Sequence, residues 1–381
     1  MSADPIPLND LRRHTESLSG EIHAALDRVL ARGWFVLGPE VEAFEHEFAA
    51  YCGTSQCVSV ANGTDGLELA LRALGVGQGD HVATVANAGM YSTTAIRAIG
   101  AVPLFVEIAA DSLTMSPAAL SAALTTQVRA IVVTHLYGQM ADLPNLLLAA
   151  GRLGIPVVED CAQAHGAVID GRRAGSWGNF GCYSFYPTKN LGALGDGGAV
   201  VTNDPALSRS VRLLRQYGWS DKYHSALAGG RNSRLDEIQA ADLRAKRPHV
   251  DGWNSRRRAI AAAYSQRLAA SDLCLPASLG LDYVAHLFVV RSERREQLRA
   301  ALMAHGIVSD IHYPLPDYLQ ESCRDLGFAR GFLQVTEAAC DQVLTLPCFP
   351  ELRDDELDRV VAVVAASLPP KSRVNVNQAP A

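Results

Sequence analysis

Aromatic residues are scarce in this 381-residue chain, at 7%, and basic residues hold no surplus: 34 lysines and arginines stand against 40 aspartates and glutamates. The resulting formal charge of −6 excludes a broad cationic surface of the kind that neutralises a run of nucleic-acid phosphates. Single arginines remain free to bind a small anion. The eight cysteines (52, 57, 161, 182, 274, 323, 340 and 348) include no paired CxxC spacing. The start, Met1-Ser2-Ala3-Asp4-Pro5, lacks the basic stretch and apolar run of an export signal, so reduced, buried thiols are expected. No uninterrupted apolar run approaches the ~20 residues of a membrane span. The protein is therefore expected to be soluble and cytoplasmic, with no nucleic-acid or membrane partner. Gly75-Val76-Gly77-Gln78-Gly79 has neither the spacing nor the acidic partner of a dinucleotide fingerprint, which gives hydride transfer no support. There are no repeats and no low-complexity segments.

What is present is a large apolar fraction, 48%, in a chain too long for one ordinary core. From about residue 56 to 205, short β-branched runs alternate with Ala/Leu-rich stretches of helical character. Strands are expected at Cys57–Val60, His81–Val85, Val102–Val106, Ala130–Thr134, Ile155–Val158 and Gly198–Thr202, with helices at Leu67–Leu74, Ser92–Ile99 and Leu143–Leu153. Such alternation predicts an α/β fold with a mainly parallel sheet covered on both faces. Helices follow at Leu235–Lys246 and Arg256–Ala269. Beyond about 250 the rhythm changes, with a strand at His286–Val290 and a helix near Arg295–His305. We read residues 1–249 as a large cofactor-binding domain whose first segment packs on the other domain. Residues 250–370 form a smaller C-terminal α/β domain, and 371–381 a frayed tail.

Ligands of such sheets collect at the carboxyl edge of the strands, and the side chains that carry chemistry cluster there. Lys189 stands in Ser184-Phe185-Tyr186-Pro187-Thr188-Lys189-Asn190-Leu191-Gly192, flanked by aromatic and small residues rather than by charges, with Gly192, Gly195, Gly197 and Gly198 following. Buried, such an amine loses its proton more easily and becomes nucleophilic. Asp160 closes an apolar run and reads either as a turn or cap residue or as a carboxylate that salt-bridges a pyridinium nitrogen. A Schiff-base lysine with such a carboxylate is what pyridoxal phosphate needs from a protein. Gln163 and His165 follow on the same loop, within reach of a ring or serving only the loop backbone. Asn62-Gly63-Thr64-Asp65-Gly66 forms a polar turn between strand and helix whose free amides suit a phosphate, and Ser184 offers a second hydroxyl.

Together these residues resemble the DegT/DnrJ/EryC1/StrS family of sugar aminotransferases, pyridoxal phosphate enzymes with the fold of aspartate aminotransferase (fold type I). The resemblance runs from Gly33-Trp34-Phe35-Val36-Leu37-Gly38-Pro39 to about Pro350. Its most specific pieces are Glu159–Gly166, Ser184–Gly192 and Asn232–Gln239. It implies that Lys189 forms the Schiff base and shuttles protons, that Asp160 binds the pyridine nitrogen, and that Gln163 approaches the phenolic oxygen. Gly63, Thr64 and Ser184 would hold the phosphate. Asn232 would reach the same phosphate from the partner subunit of a homodimer, and His286, His312 and Tyr313 would lie near the substrate. The family's ring-stacking aromatic is missing: Gly89 occupies its register, which leaves Met90 or Tyr91 to take over.

The reaction so implied moves an amino group from L-glutamate to a keto sugar. Family members that aminate nucleotide-linked sugars at C3 often have the Tyr-Pro-x-Lys-Asn-Leu-Gly-Ala-Leu-Gly-Asp segment found here, and those acting at C4 often carry histidine at the position of Tyr186. The resemblance thus favours a dTDP-linked 3-keto-6-deoxy sugar, with Arg231 and Arg234 as candidate cations for its nucleotide. A keto-cyclitol or a C4 keto sugar is the alternative substrate. A cofactor-binding regulator without turnover is the alternative class. The dehydratase branch, with histidine replacing the lysine, is opposed by Lys189.

Overall fold

A computed structural model describes residues 4–368; the 371–381 segment lies outside the described residues. Seven strands form the central sheet: β1 Gln56–Val60, β2 His81–Thr84, β3 Val102–Phe105, β4 Val128–Thr134, β5 Val157–Asp160, β6 Phe180–Ser184 and β7 Gly198–Thr202. Their order is β1-β7-β6-β5-β4-β2-β3. All pairings from β6 through β3 are parallel, whereas β7 runs antiparallel to both β6 and β1. Apart from the edge strand β3, where Val102 is exposed, the strands are largely buried on both faces, with β7 fully so, which is why they read as continuous apolar runs rather than as alternating ones.

The connecting helices are α4 Gly63–Ala73, α5 Tyr91–Ala98, α6 Pro117–Ala123, α7 Leu143–Gly151 and α8 Pro205–Leu214, preceded by α1 Leu11–Ser17, α2 Ser19–Arg32 and α3 Pro39–Cys52. Cores form on both sheet faces. One gathers Phe44, Phe48, Val133, Tyr183 and Phe185, the other Val58, Leu71, Val132 and Phe180.

Two boundaries differ from the sequence expectation in ways that matter. The strand expected at Ile155–Val158 is shifted to Val157–Asp160, because its pairing with β4 carries on through Glu159↔Val133 and Asp160↔Thr134. Asp160 is thus the last residue of a strand rather than the first of a loop. Helix α4 begins at Gly63, not near Leu67, since the Asn62 side chain caps it by accepting from the Asp65 amide at 2.8 Å. Strand β6 was not anticipated at all. Its Gly181 and Cys182 give a weak strand signal, yet it fills the gap between β5 and β7 and delivers Ser184.

Downstream, α9 Glu237–Lys246 and a short 3-10 turn lead directly into α10 Val250–Leu268. Helices α11 Arg295–Ala304, α12 Gln334–Gln342 and α13 Asp354–Ser367 follow, with the antiparallel pair β8 Phe288–Arg291 and β9 Val343–Leu346. A separate apolar cluster joins Ile260, Tyr264, Phe288, Leu298, Leu346 and Val360, and Ile6 is fully buried in it. The N-terminal segment is tied there by Ile6 N–H to the Gly306 carbonyl at 2.8 Å and Val308 N–H to the Ile6 carbonyl at 2.9 Å.

Candidate active site

Strands β1, β4, β5 and β6 all point their carboxyl ends at one edge, and a cavity of about 670 Å³ opens there. Its lining includes Gly63, Thr64, Asp160, Gln163, Ser184, Tyr186, Lys189, His286, His312 and Tyr313. These ten residues singled out in the sequence therefore meet in one place. Asn232 does not: it is exposed, paired with Gln216 outside this cavity.

Lys189 is half-buried, and burial lowers its affinity for a proton from the usual range to a pKa of about 8, with Asp160 acting in the opposite direction. Asp160 is buried, and burial raises its pKa, opposed by the Ala162 amide, by Lys189 and by Ser92. The Ala162 N–H donates to Asp160 Oδ1 at 3.1 Å, while Ser92 and Thr134 hydroxyls approach Oδ2 at 3.5 Å. Among the described residues Lys189 makes no ion pair with Asp160. The site therefore holds an amine and a carboxylate that both resist charge and influence each other through space.

Beneath Asp160, its neighbour Glu159 is fully buried and anchors the floor. It accepts the backbone N–H groups of Gly175, Trp177 and Gly178 at 2.7–2.8 Å and pairs with His135 Nε2 at 3.0 Å. His135 Nδ1 accepts from the Ala141 amide, so the ring's other nitrogen carries the hydrogen that Glu159 receives. With Cys161 these residues form the kind of cluster that can hold a metal, but the imidazole is spent on both sides.

The α4 N-terminus meets Ser184 closely: a Cβ on Gly63 would come within 2.8 Å of Ser184 Cβ. Glycine at 63 leaves room and free amides for an anion at a helix start. Gln163 is already engaged, its carbonyl taking the Tyr137 N–H and its amide donating to Tyr313 Oη at 3.1 Å. His165, read as either within reach of a ring or serving the loop backbone, packs between Tyr183 and Phe185 in the core with both ring nitrogens unpartnered. Burial drives its pKa down to about 3.

The position of the missing aromatic, Gly89, is approached by a ring from the C-terminal part of the chain. The Tyr313 ring lies over Gly89, so closely that a Cβ there would lie 2.7 Å from Tyr313 Cε1. Tyr91 meets that ring edge-on at 6.1 Å. Arg231 is tied to Asp65 and Glu68, which removes it as a free cation. Asn9, Thr134 and Asp310 also line the cavity. Of these, only Thr134 had a sequence signal, as the end of an expected strand.

A cavity that sets a nucleophilic amine, a buried carboxylate and an anion-ready helix start at one sheet edge fits pyridoxal phosphate, and defines a fold type I enzyme dependent on that cofactor. The family model described as the DegT/DnrJ/EryC1/StrS aminotransferase family matches residues 16–365, and the chain belongs to that family. Erythromycin biosynthesis sensory transduction protein EryC1 of Saccharopolyspora erythraea is 46% identical over 95% of this chain and 99% of its own length. A dTDP-3-amino-3,4,6-trideoxy-alpha-D-glucose transaminase of Streptomyces venezuelae is also 46% identical, over 94% of this chain and 95% of its own. The crystal structure of S. venezuelae DesV in complex with a ketimine intermediate superposes with a TM-score of 0.93 at 45% identity, covering 96% of this chain and 98% of that one. No described helix is long and apolar enough to cross a membrane.

Proposed function

We propose that this protein transfers an amino group from L-glutamate to C3 of a dTDP-linked 3-keto-6-deoxyhexose. The observation that carries the reading is the Lys189 amine sharing one cavity with the Asp160 carboxylate, in a chain 46% identical to a transaminase named for a dTDP-3-amino sugar. Tyr186 at the cavity wall supports C3 over C4.

When bound, pyridoxal phosphate supplies a carbonyl that takes up amines and a ring that absorbs the charge left by a departing α-proton. In this reading Lys189 holds the cofactor covalently and moves a proton at Nζ, a task for which a proton affinity lowered toward neutrality suits it. Asp160 would hold the pyridine nitrogen in its protonated form; a cation there would offset the burial that otherwise disfavours its charge. Gly63, Thr64 and Ser184 receive the phosphate at the α4 N-terminus. Gln163 turns its amide toward the phenolic oxygen. Tyr186, His286, His312 and Tyr313 face the substrate.

Asn232 then serves the cavity of a second copy, and the exposure of Trp34, Phe35, Tyr186 and Leu194 supports a homodimer. Seven of the eight cysteines are buried and none is paired, in keeping with a cytoplasmic enzyme. We place the division between a larger cofactor-binding domain and a smaller C-terminal one at residue 249, where the 3-10 turn Arg247–His249 joins α9 to α10.

Incubation with 15N-labelled L-glutamate and a panel of dTDP 3-keto sugars, dTDP 4-keto sugars and keto-cyclitols tests this. Label in a dTDP-3-amino sugar is expected. Label only in a 4-amino sugar or a cyclitol overturns the substrate class, and label in none of them favours a cofactor-binding protein without turnover, in line with the S. erythraea relative being named a sensory transduction protein.

A further inference from the structure

One cavity-lining side chain is held by a run of buried amides that fixes which of its atoms carries a hydrogen. His286 is 6% exposed and lines the cavity, with Nδ1 2.9 Å from Asn190 Oδ1. Asn190 is itself oriented from behind: its Nδ2 donates to the Val284 carbonyl at 3.1 Å and to Asn254 Oδ1 at 2.7 Å. A peptide carbonyl only accepts, so turning the Asn190 amide over would set two oxygens against each other. Asn254 is fixed in the same way, since its Nδ2 donates to the His165 carbonyl at 2.7 Å. His286 Nδ1 must therefore be the donor to Asn190. Burial, with Lys189 and Arg257 nearby, keeps the ring neutral, which leaves Nε2 as a bare lone pair. Among the described residues no hydrogen bond engages Nε2.

We propose that His286 Nε2 accepts a hydroxyl of the keto sugar and thereby helps select the sugar over other carbonyl compounds; this rests on the function proposed above. A neutral nitrogen beside Lys189 suits a neutral O–H donor. An ammonium ion there would place a second positive charge next to the lysine, and a carboxylate would face the lone pair. The contact therefore belongs to the sugar half of the reaction rather than to the amino-donor half.

The test separates the two halves. In His286→Phe the KM for the sugar is expected to rise about tenfold, the scale of one lost hydrogen bond in a buried site. The rate at which L-glutamate bleaches the cofactor band should stay within roughly twofold. His286→Gln, whose amide can both donate to Asn190 and accept from the sugar, should recover most of the loss. Equal slowing of both halves would assign His286 to holding Lys189 through Asn190, and overturn the proposal; so would a glutamine variant no better than phenylalanine. Nitrogen NMR of histidine-labelled protein gives a readout free of turnover: Nδ1 protonated and Nε2 bare at pH 7 supports the proposal, and the opposite tautomer or a doubly protonated ring overturns it. Wild type that bleaches with glutamate yet aminates no sugar would overturn the underlying function reading, whereas wild type that aminates sugars beside an unimpaired His286→Phe overturns this proposal alone.

Discussion

The Tyr313 ring lies across Gly89, filling the volume that any side chain at 89 would need. Gly89 has φ of 76°, and a Cβ there would sit 2.7–2.9 Å from three atoms of the ring. Gly89→Ala therefore faces two separate costs, a left-handed backbone of about 1–2 kcal/mol and a clash of similar size. In a Tyr313→Ala background only the first remains. Denaturant midpoints of the four proteins should show that non-additivity; additive losses would mean the ring does not occupy that volume.

Lys189 should react as an amine with a pKa of about 8 rather than 10.5. Only the unprotonated amine captures an aldehyde, and its fraction rises as pH passes through the pKa. The rate at which cofactor-free protein develops the visible pyridoxal band should therefore climb with a midpoint near pH 8. A midpoint near 10.5 would show that burial does not perturb the lysine.

Glu159→Gln should be severe although the change is one atom. Oε1 accepts two backbone N–H groups, and Oε2 accepts a third N–H and the His135 hydrogen. An amide must turn its own NH2 toward one of these pairs, leaving buried donors opposed. A loss of about 3 kcal/mol or more is expected by chemical denaturation, together with weaker cofactor uptake because Asp160 is the next residue. Wild-type stability in this variant would contradict the anchoring role.

Asp317 ties the loop after Tyr313 to α5, accepting from the Thr93 hydroxyl at 2.6 Å and the Met90 amide at 3.0 Å. Burial raises its pKa to about 7, so between about pH 4 and 7 the folded protein holds a proton that the unfolded chain has released. Stability from this group is complete below about pH 4 and is lost as pH rises toward 7. The stability of wild type relative to Asp317→Asn should fall across that window and level off above it; a flat difference would refute the shift.

Much of the site was legible because its parts lie on short stretches of chain. Asp160 and the Gly63 turn each lie at the end of an expected strand, and parallel strands deliver their carboxyl ends to one edge; the Lys189 segment follows the unexpected β6 and was placed with them by its resemblance to the family. What was not legible depends on contacts between distant segments. Tyr313 reaches Gly89 only because the C-terminal part folds back over α5, and Asn9 enters the cavity only because Ile6 docks beside Ile307. Strand β6 was hidden by its glycine and small residues, although Ser184 at its end was found. His165 was left between a ring contact and a backbone role by its loop, and is a core residue in space because the Tyr183 and Phe185 rings enclose it.

The central claim is that Lys189 holds pyridoxal phosphate and passes an amino group through it. The visible spectrum of the purified protein, before and after excess L-glutamate and beside Lys189→Ala, tests it most directly. The account predicts a yellow band that bleaches with glutamate in wild type and is never formed covalently in the variant. No band in wild type even after added pyridoxal phosphate would contradict it.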